Sequence, residues 1–178
     1  MRTFVAIEVN NNNVLNSIHQ IQSELNIKAK PVELHNMHFT VLFLGEVSEE
    51  MVRKISDALN GIEFSTFSIT FTGIGAFPKP NSPRIIWIGV NDGINELENL
   101  AETMRAKLAD LGFNPDKKFK PHLTVFRVKK RIESVSSIMK DFETMEFGTE
   151  TISQIKLKKS VLSPKGPEYS DLLEVNAK

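Results

Sequence analysis

The sequence predicts an α+β fold with two pseudo-symmetric lobes, each an antiparallel sheet with helices on its outer face, around a central groove. One order of elements occurs twice along the chain: a strand, asparagine, a helix, a proline and a strand that opens with His-x-Thr. The spacing of the proline and the histidine also matches, for Pro31 with His38 and for Pro115 with His122. A shared order of this length is harder to obtain by chance than a shared tetrapeptide, so we interpret the chain as an internal repeat.

We expect one bilobal domain over residues 1–178, with approximate repeats over residues 1–80 and 81–178. The length suits one domain or two small lobes. The apolar fraction of 40% and the charged fraction of 25% are those of an ordinary globular protein. The proline-rich loop Phe77–Arg84 lies where the repeats meet, and we interpret it as a hinge between the lobes.

The elements of the first half follow from its hydrophobic periodicity. Thr3–Val9 is rich in β-branched and aromatic residues, which predicts a strand, and the asparagines that follow can cap a helix. Apolar residues within Val14–Leu25 lie on one stripe, which predicts an amphipathic helix. The further elements expected here are a strand over His38–Leu44, a helix over Glu49–Leu59 and a strand over Phe67–Phe77.

The second half shows the same periodicities in the same order. Arg84–Val90 has the composition of a strand, and the segment that follows has one apolar helical face and is closed by Gly112. The second motif strand begins at His122. The remaining predictions are a helix near Ile132–Phe142, a strand over Thr151–Leu162 and a strand near Tyr169–Val175.

The composition excludes several classes of site. There is no cysteine, so disulfides, thiolate metal sites and cysteine nucleophiles are excluded. No apolar run is long enough to span a bilayer, and the start turns polar too soon for a secretory signal, so we expect a cytoplasmic protein. The 22 basic and 22 acidic side chains give a net charge of zero, which argues against a protein that coats nucleic acid.

The basic residues are nevertheless clustered along the sequence. Locally positive surface on a neutral protein fits a small phosphate-bearing ligand or an RNA end, and plain solvated lysine explains any single cluster equally well. The clusters are Lys117, Lys118 and Lys120 before the second motif, Lys129, Lys130 and Arg131 after it, and Lys156, Lys158 and Lys159.

Strand geometry pairs the polar residues of each motif. Side chains alternate across a strand, so His38 and Thr40 point to one side, and His122 and Thr124 do the same. If a pseudo-twofold axis relates the halves, the two pairs can face each other across a cleft. We assign the opposite faces to the apolar core: Phe39, Val41 and Phe43 in the first strand, and Leu123 and Val125 in the second.

Two histidines and two threonines in one cleft suit the opening of a cyclic phosphodiester. That reaction needs a base to take a proton from water and an acid to protonate the departing sugar oxygen. Histidine titrates near pH 6.5, so one ring can be neutral while the other is charged. The threonine hydroxyls can donate to the non-bridging phosphoryl oxygens, where charge collects in the transition state.

At these residues the sequence resembles the two-histidine (2H) phosphoesterases, and within them the RNA 2′,3′-cyclic phosphodiesterases, or 2′-5′ RNA ligases, of bacteria and archaea. The likeness covers nearly the whole chain, through "RTFVAIEV", "HFTVLFLG", "FPKPNSPRIIWIGV", "FKPHLTVFRV" and "VLSPKGPEYSDL". The resemblance implies one His-x-Thr strand per lobe on either side of a groove. It also implies hydrolysis of RNA 2′,3′-cyclic phosphate ends to 2′-phosphates, with ligation as the reverse reaction of the same site.

The resemblance also implies the roles of individual residues. His38 is the proton donor to the leaving 3′ oxygen, and His122 is the base that activates water. Thr40 and Thr124 bind the phosphate, and Arg127 matches a family arginine that contacts phosphate. Strand parity alone places Arg127 on the opposite face, so its role requires a bulge or the end of the strand.

We expect no cofactor, and the acid–base chemistry of two histidines requires no metal. His35 and His38 form a His-x-x-His pair, but no third ligand lies at a convincing spacing. The expected partner is RNA with a 2′,3′-cyclic phosphate terminus, with tRNA halves among the candidates, and we expect a monomer that does not bind membranes. Phe4, Phe77 and Tyr169 can stack on a base, although core packing is the more common role of such residues.

Three other functions remain open on the sequence alone. The first is an enzyme of the same superfamily that acts on a small cyclic nucleotide. The second is a module that binds RNA ends with little turnover. The third is 2′-5′ ligation as the working direction of the reaction. The near symmetry of the two motifs also leaves open which histidine is the acid and which is the base.

Overall fold

The computed structural model describes residues 1–178, which form nine strands and four α-helices. The strands are β1 (Arg2–Glu8), β2 (Lys30–Pro31), β3 (His38–Glu46), β4 (Phe67–Phe77), β5 (Ile85–Val90), β6 (Leu123–Arg127), β7 (Glu146–Ile152), β8 (Gln154–Ser163) and β9 (Gly166–Asn176). The helices are α1 (Asn12–Glu24), α2 (Glu49–Asn60), α3 (Ile94–Ala109) and α4 (Ser136–Asp141), and a 3₁₀ turn covers Leu34–Asn36.

Local sequence explains where the first helices begin and which faces they bury. The side chain of Asn11 accepts hydrogen bonds from the backbone N–H groups of Asn13 and Val14 and so caps α1. Ser48 caps α2 in the same way, through the N–H of Met51. The apolar stripe predicted for α1 is buried, at Val14, Ile18 and Ile21.

The strands form two antiparallel sheets that exchange strands between the halves of the sequence. One sheet has the order β3-β1-β8-β9, and the other has the order β2-β6-β5-β4-β7. The last strand of the first half, β4, therefore lies beside β5 of the second half, while β8 of the second half lies beside β1 of the first. The motif strands β3 and β6 belong to different sheets and contact each other.

A single hydrophobic core joins the two sheets. Buried side chains from both sheets and from α1, α2 and α3 form one continuous cluster of 36 residues. Helix α1 packs against β6 and β7 of the five-stranded sheet, and α2 packs against β9 of the four-stranded sheet. This shared core fixes the relative position of the two motif strands. None of the helices combines the length and the apolar character that a membrane crossing requires.

Three predicted elements differ from the structure. The loop Phe77–Arg84 is not a hinge between lobes, because it joins β4 to β5 and these are paired neighbours in one sheet. The strand predicted over Thr151–Leu162 is interrupted at Ser153, where the chain leaves the five-stranded sheet and enters the four-stranded one. Helix α4 begins at Ser136, later than predicted, and the Ser136 N–H donates to Ser134 Oγ just before it.

The prediction that Phe43 belongs to the core is wrong. Its side chain is 71% exposed, whereas Phe39 and Val41 are buried as expected. The pairing of β1 with β3 is irregular here, and the alternation of β3 is shifted before Phe43.

Candidate active site

A groove of about 560 Å³ lies between the two sheets, and all five residues predicted for the site line it. His38 and Thr40 come from β3, and Thr124 and Arg127 come from β6. His122 directly precedes β6. Because the motif strands are neighbours in space, two histidines from distant parts of the chain reach one cavity.

Hydrogen bonds determine which nitrogen of His38 is basic. Nδ1 lies 2.6 Å from the carbonyl oxygen of Asn36, which can only accept, so Nδ1 carries the proton. Nε2 is then the acceptor in the neutral ring, and the hydroxyl of Thr40 donates to it at 2.9 Å. The rings of Phe4 and Tyr169 flank the imidazole, with centroids 5.2 Å and 5.5 Å from it.

The Nδ1 atom of His122 is held in the same way as that of His38. Its Nδ1 donates to the carbonyl oxygen of Lys120 at 2.7 Å, which leaves Nε2 as the basic nitrogen. Two aromatic rings again flank the imidazole, Phe77 at 5.0 Å and Trp87 at 6.2 Å between centroids. Gly75 lies under the Trp87 ring, and an added Cβ at that position would collide with it. Each histidine is thus held by a carbonyl two residues upstream and by two aromatic rings.

Burial lowers the pKa of His38 to about 4. The hydrogen bond to the carbonyl of Asn36 and the charge of Glu8 oppose this shift, while the charges of Lys158 and Arg127 reinforce it. At neutral pH the imidazole of His38 is therefore uncharged in the free protein, and its Nε2 is available to accept a proton.

Arg127 lies on the groove side because β6 contains a bulge. Trp87 of β5 pairs with Thr124, but the preceding residue of β5, Ile86, pairs with Phe126, so Val125 has no partner. This shift places Arg127, which pairs with Ile85, on the same face as Thr124. The sequence analysis required a bulge or the end of the strand for Arg127 to face the groove, and β6 contains that bulge.

Basic side chains dominate the charged lining of the groove, although the whole chain is neutral. Glu33 is its one acidic lining residue. Besides Arg127, the basic lining residues are Lys30, Arg105, Lys117, Lys118, Lys120, Lys129 and Lys165. Two of the three basic clusters in the sequence therefore contribute to the groove, and the local field favours an anion.

The third basic cluster is largely neutralised. Lys156 and Lys158 are buried on the four-stranded sheet, and the lysine ammonium groups pair with carboxylates. Nζ of Lys156 lies 2.8 Å from Glu8 and 2.9 Å from Asp171, and Lys158 pairs with the same two residues. Burial on its own raises the pKa of Glu8, but the two lysines outweigh it and hold that pKa below its usual value. The ammonium groups of these two lysines are therefore already paired with carboxylates of the protein.

The other two histidines lie outside this arrangement, and Phe4 has a packing role. His35 belongs to the exposed 3₁₀ turn and His19 to the exposed face of α1. The structure contains no group of three or more His, Asp or Glu side chains arranged to hold a metal ion. Phe4 is 3% exposed, and its ring packs against His38, so it offers no free face to a base.

Phe43 is a groove residue that the sequence analysis assigned to the core. Phe43 lines the groove beyond Phe4, with 6.1 Å between the ring centroids. The alternation of the sequence assigns it to the core, and only the pairing of β3 with β1 shows otherwise. The sequence itself carries no signal for this irregularity.

Comparison with known proteins gives a consistent result. Residues 2–172 match the family described as the AKAP7 2′5′ RNA ligase-like domain. The chain is 44% identical to the RNA 2′,3′-cyclic phosphodiesterase of Archaeoglobus fulgidus over 174 residues, which cover 97% of this chain and 98% of that protein. It is 38% identical to the protein of the same name from Aeropyrum pernix, over 85% of this chain and 88% of that protein.

A solved structure has the same fold. The crystal structure of TT0787 from Thermus thermophilus superposes with a TM-score of 0.82 at 28% identity, and the match covers 99% of this chain and 97% of that one. The α+β architecture predicted from the repeated elements is confirmed. With the match over nearly its full length and the two histidine motifs in one groove, the chain belongs to the 2′5′ RNA ligase-like family of 2H phosphoesterases.

Proposed function

We propose that this protein is a metal-independent RNA 2′,3′-cyclic phosphodiesterase that leaves a 2′-phosphate. The observation that carries the proposal is the presence of two histidines in one groove, each with Nδ1 held by a backbone carbonyl and Nε2 as the basic nitrogen. The names of the relatives from Archaeoglobus fulgidus and Aeropyrum pernix support the same activity.

In the proposed reaction both histidines transfer protons. His122 Nε2 takes a proton from water, and the water oxygen forms a bond to phosphorus. The bond between phosphorus and the 3′ oxygen breaks, and protonated His38 gives its Nε2 proton to that oxygen. The products are a 3′ hydroxyl and a 2′-phosphate, and each transfer contributes roughly 10²–10⁴-fold to the rate.

The remaining predicted residues hold the phosphate. We infer that the hydroxyls of Thr40 and Thr124, which line the groove, donate to its non-bridging oxygens, and that Arg127 on the same face of β6 supplies a positive charge. Charge on these oxygens increases in the transition state, so fixed donors stabilise it more than the ground state.

The acid role of His38 requires proton uptake when substrate binds. Its pKa of about 4 leaves the free imidazole neutral at pH 7. A phosphodiester anion beside Nε2 favours the charged form, since an opposite charge within a few ångströms raises the pKa of a histidine. The exchanged assignment, with His38 as the base, needs no such uptake, so an experiment must separate the two.

Substrates longer than one nucleotide fit the charge of the groove. A single phosphate needs few cations, whereas the lining carries lysines from four segments of the chain, at Lys30, Lys117–Lys120, Lys129 and Lys165. We infer that these lysines contact the phosphates upstream of the reacting end, which favours RNA over a small cyclic nucleotide.

Ligation follows from the same site by reversibility. If the 5′ hydroxyl of a second RNA takes the place of water, His122 removes its proton and the oxygen attacks phosphorus. The bond to the 3′ oxygen breaks as before, and the product is a 2′-5′ phosphodiester.

We also propose that one chain is sufficient for the reaction. Both histidines, both threonines and Arg127 come from the same chain and line the same groove. The monomeric state and the cytoplasmic location stay predictions.

Replacing either groove histidine should abolish turnover. We expect His38→Ala and His122→Ala each to lower kcat by at least about 100-fold on a short RNA with a 2′,3′-cyclic end, with binding of the RNA largely retained. Wild-type turnover should be the same with and without EDTA, and the product should carry a 2′-phosphate. The measurement is single-turnover hydrolysis followed by chromatography of the products.

His19→Ala and His35→Ala are matched controls, because both remove an exposed histidine outside the groove. Near wild-type rates in the groove variants would refute the catalytic assignment. Tight RNA binding without turnover in the wild-type protein would instead indicate an end-binding module.

A sulfur leaving group should identify the acid. When sulfur replaces the 3′ oxygen of the cyclic phosphate, the leaving group no longer needs protonation, because a thiolate is far more stable than an alkoxide. We expect this substrate to restore the rate of His38→Ala towards that of the wild type and to leave His122→Ala slow. Rescue of His122→Ala alone would show that the roles are exchanged.

The neutral state of the partly buried His38 should make the fold sensitive to acid. Its pKa is lower in the folded protein than in the unfolded chain, so the unfolded chain binds the extra proton and the free energy of unfolding falls below pH 6.5. We expect a loss of about 2 kcal/mol between pH 7 and pH 5 that His38→Gln removes. Urea denaturation measures it, with His19→Gln as the control, and an equal loss in His38→Gln would contradict the prediction.

Lysines of the groove should determine the salt dependence on RNA. For a single strand, each lysine that contacts a phosphate contributes about 0.7 to the slope of log affinity against log salt. We expect Lys117→Gln with Lys118→Gln to lower the slope of kcat/KM for an oligonucleotide by about 1. Lys54→Gln with Lys140→Gln removes two lysines outside the groove and should leave it unchanged. Equal slopes in all three proteins would favour a small cyclic nucleotide as substrate.

A further inference from the structure

The segment that leads from α3 to His122 has no backbone support of its own. Residues 114–121 belong to no helix or strand, and none of them takes part in a hydrogen bond between backbone groups. The same segment supplies the Lys120 carbonyl, to which Nδ1 of His122 donates at 2.7 Å. The position of that carbonyl, and with it the orientation of the imidazole, therefore depends on side-chain contacts.

The corresponding anchor of His38 is held differently. The Asn36 carbonyl that accepts from its Nδ1 belongs to a 3₁₀ turn. Within this turn the Asn36 N–H donates to the Glu33 carbonyl at 2.9 Å, and the Met37 carbonyl accepts from the N–H of Val9 at 3.0 Å. Backbone hydrogen bonds thus fix the anchor of His38, whereas the anchor of His122 lacks them.

Arg105 of α3 supplies the missing polar contact. Its Nη2 donates to the carbonyl oxygen of Lys117 at 2.5 Å, three residues before Lys120. Apart from His122, it is the one side chain outside residues 114–121 that hydrogen-bonds to the backbone of this segment. Phe119 adds an apolar contact, because its ring is 7% exposed and belongs to the core.

Burial of the Arg105 side chain is costly, so its presence needs a specific reason. The residue is 9% exposed, and its Nε is buried without a hydrogen-bond partner. Its one carboxylate partner, Glu102, lies at 3.2 Å from Nη1 and is half exposed. A charge that is removed from water and only partly paired is unfavourable, and an apolar side chain would fill this part of α3 at a lower cost. The contact with Lys117 is what an apolar side chain could not supply.

From these observations we propose that Arg105 is a positioning residue for His122. By holding the Lys117 carbonyl, it keeps the Lys120 carbonyl against Nδ1 of the imidazole, and this keeps Nε2 as the basic nitrogen that faces the groove. Arg105 acts through the segment and not by contact with the substrate. The proposal rests on the proposed function, because it takes His122 as a proton-transfer group.

The kinetic test is a double-mutant cycle on a short RNA with a 2′,3′-cyclic end. We expect Arg105→Ala to lower the single-turnover rate roughly 10- to 100-fold with RNA binding largely retained, because a small displacement of a catalytic group has an effect of this size. In His122→Ala the same substitution should cause little further loss, because the group that Arg105 positions is already absent. A full additional loss in the double variant would overturn the proposal.

A second variant covers the case in which Arg105→Ala folds poorly. Arg105→Gln keeps a polar side chain, but its amide is shorter than the guanidinium and does not reach the Lys117 carbonyl from the same backbone. We expect it to lower the rate in the same way as Arg105→Ala. Arg53→Ala is the control, because it removes an exposed arginine from α2, outside the groove, and should keep the wild-type rate.

The tautomer of His122 gives a readout that needs no turnover, through the ¹⁵N NMR signals of the neutral imidazole. The wild-type ring should show the single tautomer with the proton on Nδ1. We expect Arg105→Ala to give a mixture of tautomers for His122 and to leave His38 unchanged, since the anchor of His38 has its own backbone hydrogen bonds.

Two results in Arg105→Ala would refute the positioning role. A lower Tm with unchanged rate and tautomer would show that Arg105 only stabilises the fold. Weaker RNA binding with an unchanged tautomer would show that Arg105 contacts a phosphate directly. If the wild-type protein did not hydrolyse the RNA while the tautomer of His122 still changed in Arg105→Ala, the proposed hydrolysis would fail and the positioning role would stand.

Discussion

Each groove histidine depends on one short hydrogen bond, from its Nδ1 to the carbonyl oxygen two residues upstream. The distance is 2.6 Å for His38 and 2.7 Å for His122. A carbonyl can only accept, so this contact fixes the tautomer of both rings and makes Nε2 the basic nitrogen. A ring free to rotate would present either nitrogen. Because both halves of the chain use this contact, the groove contains two histidines with Nε2 as the basic nitrogen.

The alternation of side chains along a strand allowed much of this candidate site to be predicted from the sequence. His38 with Thr40, and His122 with Thr124, line the groove because side chains two positions apart share a face. Parity fails where a strand gains an unpaired residue, and that depends on its neighbour in the sheet rather than on its own sequence. The same kind of irregularity moves Arg127 to the groove, as its predicted role required, and moves Phe43 there against prediction.

The exchange of strands between the sheets could not be predicted from the repeat. The periodicity of the sequence identifies β4 and β8 as strands. The pairing of β4 with β5 and of β8 with β1 depends on contacts elsewhere in the fold, which periodicity does not show. The interpretation of Phe77–Arg84 as a hinge followed from treating each half of the sequence as a unit in space. The exchange has a consequence for the site, because it ties both sheets into one core and holds β3 against β6. Two histidine motifs on independently moving lobes would not keep their nitrogens at a fixed separation.

The charges around His38 couple substrate binding to protonation in the proposed reaction. Burial disfavours the charged imidazole in the free protein, and the charges of Lys158 and Arg127 add to that effect. A phosphate anion in the groove compensates the positive charge of Arg127 and lies close to the imidazole, so His38 accepts a proton more readily in the complex. Coupling of this kind is reciprocal, so protonated His38 must also hold the phosphate more tightly than the neutral ring does. In the proposed reaction, His38 would then be charged mainly when a phosphate is bound. Its protonation would depend on the substrate more than on the pH of the solvent.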